Sequence, residues 1–191
     1  MKESPIGRRG YNRDRLRGSF ASLLVPALLT GGCTVSNDYE WSEYPVKPER
    51  ITQTIDFSVA SSVQITNGQS RDEDEELGWV GAHHFYGSLR ELTEAIVAQF
   101  SSELAKRNVA INSGGPKSIE LKVTEREFIR GFWVIRTDMV LEVQDGSGAV
   151  YALDISNTTG GTVPRLYDGA ASVATTALLN DPRIKAYLEE P

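Results

Sequence analysis

One cysteine, two adjacent histidines and a run of five carboxylates are the side chains of this 191-residue sequence with the most evident chemistry. Cys33 stands alone, which excludes an internal disulfide and a Cys-rich metal site and leaves one thiol open to modification. His83 and His84, as neighbours, point to opposite faces of any strand, and no third ligand accompanies them, so a shared metal is not expected. They are placed instead in a loop with Trp79, Phe85 and Tyr86. Asp72, Glu73, Asp74, Glu75 and Glu76 offer oxygens that Ca²⁺ prefers, but without the alternating spacing and central glycine of a calcium loop. A solvated, self-repelling loop is the expectation there.

The glycine pairs at 31–32, 114–115 and 160–161 lack the spacing of a phosphate cradle, and no GxSxG elbow occurs. An enzyme would need a pocket uniting His83 or His84 with carboxylates such as Asp138 or Asp154. The expectation is a protein with no catalytic residues, no cofactor and no metal. The remaining candidate is aromatic. Phe128, Phe132 and Trp133 cluster at the bend between two strands, where such rings either fill a core or anchor a partner.

Cys33 gains meaning from what precedes it. The leader carries Lys2, Arg8, Arg9, Arg13, Arg15 and Arg17, followed by an apolar run, Phe20 to Leu29, half the length of a bilayer-crossing helix. Thr30, Gly31 and Gly32 complete the three-part layout of a secretory signal peptide, with cleavage near position 32. Leu29, Thr30, Gly31, Gly32 and Cys33 resemble the end of a lipoprotein signal peptide, in which the cysteine thiol receives a diacylglycerol and becomes the acylated N-terminus. One departure is Thr30, where that family usually has leucine. The competing reading is an ordinary signal peptide followed by a free thiol. Thr34 after the cysteine, rather than aspartate, is what the resemblance associates with the outer membrane, facing the periplasm. Two or three acyl chains anchor stably where one does not.

Charge separates leader from domain. Six basic and two acidic residues precede Cys33, so the 14 basic and 24 acidic residues left of the totals of 20 and 26 give a formal charge of −10. Such a surface argues against nucleic acid and against docking on anionic headgroups.

The elements that position these residues are read from periodicity. Residues 33–49 hold Asn37, Asp38, Glu40, Pro45 and Pro48 and read as a flexible tether after the lipidated cysteine, with Trp41 and Tyr44 as aromatic exceptions. Odd-numbered apolar residues from Ile51 to Ile65 predict strand. Ser88 and Glu91 form a capping box before a helix whose stripe is Leu89, Leu92, Ile96, Phe100 and Leu104. Three strand candidates follow, through Ile119 to Val123, Ile135 to Val143 and Ala149 to Thr158, with a hairpin turn at 145–148. A second helix carries Ala170, Ala174 and Leu178, and Asp181 and Pro182 restart it as a last turn. The order β-α-β-β-β-α predicts an α+β two-layer sandwich over residues 50–191, a mainly antiparallel sheet of about four strands with two helices on one face.

In that element order, and in the alanine-rich helix followed by LLNDPRIKAYL at 178–188, residues 50–191 resemble the small envelope lipoproteins of the YajG kind. The auxiliary lipoproteins of ABC lipid-transport systems have a similar layout. The resemblance implies a fold and a location more than an activity; the anchor, the acidic surface and the missing catalytic sets lead to the expectation of a membrane-anchored, non-enzymatic domain that binds an envelope protein partner or assists envelope assembly. The alternative is a lipid-handling accessory of an ABC-type system, with an apolar groove between the sheet and the helix at 88–107.

Overall fold

A computed structural model of the protein describes residues 34–41, 45–47, 50 and 62–190. The leader, Cys33, Tyr44 and the strand expected over Ile51 to Val59 lie outside these described residues. In chain order the elements are β1 (Val35–Asp38), β2 (Val63–Asn67), β3 (Glu75–Val80), β4 (His83–Gly87), α1 (Leu89–Ala105), β5 (Lys117–Arg130), β6 (Ile135–Asp145), β7 (Val150–Thr159), α2 (Val163–Asn180) and α3 (Pro182–Glu189).

The expected α+β sandwich is present. Its main sheet has four strands in the order β2-β5-β6-β7, with β2 parallel to β5 and the other pairs antiparallel. Period-two patterning explains it: Ile119, Leu121 and Val123 of β5 and Met139, Leu141 and Val143 of β6 are buried, while the residues between them are more open. Helix α1 begins at the expected capping box, with the Ser88 hydroxyl accepting from the Glu91 amide at 3.1 Å and the Glu91 carboxylate from the Ser88 amide at 3.3 Å. The apolar side of this helix, where a groove was expected, is packed against the rest of the domain. Leu92, Ile96, Phe100 and Leu104 are all fully buried, each contributing about 2 kcal/mol of apolar burial. In α2, Ala170 and Ala174 sit in the core, and Gly169 leaves room for the Asn157 amide, which donates to the Leu166 carbonyl at 2.7 Å. Asp181 caps α3, accepting from the Arg183 amide at 2.8 Å.

A second sheet was not expected. It has three strands in the order β1-β4-β3, with β1 parallel and β3 antiparallel to β4. Part of the segment read as a flexible tether therefore carries a strand. Beyond it Tyr39 is buried, donating from its hydroxyl to the Asp168 carboxylate on α2, and Trp41 packs edge-on against Tyr39 and Tyr167 at 4.6 and 6.0 Å. Burial of these two rings and the ladder to β4 outweigh the polarity that suggested a linker. The acidic run is likewise divided. Residues 72–74 are loop, whereas Glu75 and Glu76 open β3, and the histidines expected in a loop open β4.

Among the described residues no helix is long and apolar enough to cross a membrane.

Candidate contact site

Two hairpins end side by side. In the first, Trp79 and Val80 close β3, Gly81 turns with φ 64°, and His83 and His84 open β4. The histidines take opposite faces, as adjacency requires. His84 stacks on Trp79 with 6.3 Å between ring centres, and its Nδ1 lies 3.2 Å from the Glu76 carboxylate. In the second, Gly131, Phe132, Trp133 and Val134 join β5 to β6, closed by the Gly131 amide donating to the Val134 carbonyl at 2.8 Å. The Arg130 guanidinium spans the two, 4.0 Å from the centre of the Trp79 ring.

The second tip is the most exposed apolar surface described. Phe132 is 88% and Trp133 83% exposed, their rings edge to face at 4.7 Å. Val134 and Val80 are also exposed, and Val80 lines a shallow cleft of about 170 Å³ with Phe132 and Trp133. Val35 joins the same end of the molecule. Its amide donates to the Ala82 carbonyl at 2.9 Å, and register sets it beside His83, which itself lies opposite Val80.

The aromatic trio read from the sequence thus splits. Phe128 lies back along β5 and packs against the core, its ring filling the space over Gly78, where a Cβ would sit 2.7 Å away. Only Phe132 and Trp133 form the tip. Sequence reasoning missed Trp79, Val80 and Val35 as its neighbours. The exposed aromatic pair was visible as a residue type, but the meeting of two hairpins is a long-range contact with no local signal.

The other chemical candidates lie elsewhere. Asp138 and Asp154 line a groove on the main sheet with Glu125, Glu127 and Ser156, and neither histidine is among its lining residues. Among the described residues no group of three or more His, Cys, Asp or Glu is arranged to hold a metal. Behind the tip, Arg126 holds the two sheets together. Its guanidinium donates to the carbonyls of Leu77 and Glu76 at 3.0 and 2.9 Å, to the Tyr167 hydroxyl at 2.7 Å and to the Glu75 carboxylate at 3.2 Å. Burial pushes the Tyr167 hydroxyl above its ordinary pKa, against the lowering effect of the Arg126 charge.

No family model and no curated protein matches this sequence. Among solved structures, the chain is similar to a candidate lipoprotein from Caulobacter crescentus, with 13% identity and a TM-score of 0.47 over 73% of this chain and 99% of that one. It is also similar to a Xanthomonas campestris protein of the DUF330 family, with 11% identity and a TM-score of 0.43 over 80% of this chain and 96% of that one.

Proposed function

We propose that this chain is an envelope lipoprotein of the YajG kind, acylated on Cys33, whose α+β domain works by binding rather than by catalysis and assists a protein of the envelope. The anchor rests on the basic leader, the short apolar run and the glycine pair before Cys33. Thr34 supports attachment to the outer membrane, facing the periplasm. The binding half is carried by one observation, the Phe132 and Trp133 rings held out from the domain at 88% and 83% exposure. Adjacent exposed aromatics at the end of a hairpin are the kind of surface that marks a contact site rather than a catalytic one.

Intact mass of the protein from detergent-extracted membranes, compared with a Cys33→Ser variant, tests the anchor. The expected product begins at Cys33 and carries acyl mass that the variant lacks; an unacylated soluble product would overturn it. Gentle crosslinking in native membranes tests the partner, with a discrete protein adduct expected. Recovery of the uncrosslinked chain alone would count against a protein partner.

A further inference from the structure

We infer that the tip formed by Phe132, Trp133 and Val134 is seated in the headgroup region of the bilayer that holds the anchor, a reading that rests on the acylation of Cys33 proposed above and gives these rings the bilayer, in place of an envelope protein, as what they contact. The first argument is reach. Two residues of extended chain span at most about 7 Å, and Cys33 is two residues ahead of Val35, the first residue of β1. Because β1 is locked to β4 from its first residue, no long tether separates the acylated position from the domain. Whatever end of the domain carries Val35 is held against the membrane.

That end is the one that carries the exposed rings. Val35, His83 and Val80 share one row of the small sheet, and Val80 shares a cleft with Phe132, Trp133 and Val134. Val35 is 41% exposed, and with His83 between it and Val80 the chain's entry and the tip lie at one end of the domain. Tryptophan and other amphipathic rings favour the headgroup level of a bilayer, where one edge meets acyl chain and the other meets water.

Charge is arranged the same way. The residues at 79–83, 130–135 and 159–162 include no carboxylate, and Arg130 and His83 are their charged or titratable members. The acidic run lies at the other end of β3, where Glu75 is paired with Gly87, about 16 Å along the strand from Val80. The overall negative charge that opposes docking on anionic headgroups therefore has one of its densest clusters turned away from this end. A protein could also cover the rings, but the covalent geometry delivers the bilayer to them.

The test uses the full-length protein purified from membranes, checked for acyl mass and reconstituted into phosphatidylethanolamine-rich vesicles with or without bromine near the headgroup end of the acyl chains. Bromine should quench tryptophan emission in the wild-type protein, and most of that quenching should disappear in Trp133→Phe, whose fold should be unchanged. Acylated protein whose emission is indifferent to bromine would overturn the seating of the tip while leaving the anchor standing. Protein without acyl mass would overturn the anchor and this inference with it. A photoreactive residue placed at position 133 should label lipid; a protein adduct there would reassign the tip to a protein partner.

Discussion

Arg126 joins three elements with one guanidinium: β5, which bears it, β3 through the Leu77 carbonyl and Glu75, and α2 through the Tyr167 hydroxyl. Its side chain is only 10% exposed, so Arg126→Met should leave those acceptors short of donors and cost about 2–3 kcal/mol in urea unfolding. A loss under about 0.5 kcal/mol would show that the tie between the sheets lies elsewhere. Asp181 gives a pH-dependent case. Burial alone would raise its carboxyl, but the hydrogen bonds and charge of Arg183 outweigh that and hold it below its usual 3.8. A depressed folded pKa means that the stabilisation is present above the unfolded value and is lost as pH falls through the folded one. The stability gap between wild type and Asp181→Asn should therefore shrink from about pH 5 to about pH 2, and a constant gap would refute the ion pair as its source. At this scale the sequence was half legible. The Asp181 cap followed from its position before Pro182, but nothing local marked Arg126, whose partners are some fifty and forty residues away.

Elements were legible where they are long and regular. The helical stripe and the alternation through β5 and β6 each repeat one signal over many residues, the capping box marks where the helix starts, and the four-stranded sheet appeared as expected. The small sheet was hidden because its strands are short and irregular. In β1 the four residues are Val35, Ser36, Asn37 and Asp38, and β3 breaks register between Glu76 and Gly78. Gly78 is the point where this sheet meets the main one, at φ 153° with the Phe128 ring against it. Gly78→Ala combines an unfavourable backbone with a 2.7 Å approach to that ring, so it should destabilise the domain by about 1–3 kcal/mol in thermal unfolding. An unchanged midpoint would mean that the two sheets slide apart without penalty.

For the molecule as a whole, the exposed tip buries little area and contributes little to folding. A Phe132→Ser, Trp133→Ser double variant should keep its unfolding midpoint within a few degrees of wild type, since side chains this exposed bury little area; a large drop would place the rings in the core after all. The domain's attachment was the least legible feature, because its polar residues read as linker while its place in the sheet depends on pairing with β4, more than forty residues on. That attachment also has a mechanical meaning. The four register pairs of β1 and β4 lie side by side in parallel, and a pull on residue 33 along the strand axis loads them together, in shear, rather than peeling them one at a time. Behind them the Tyr39 ring, plugged against α2, resists withdrawal of the strand. Tension applied at residue 33 is thus taken up by the small sheet before it reaches the four strands and helices that form the core.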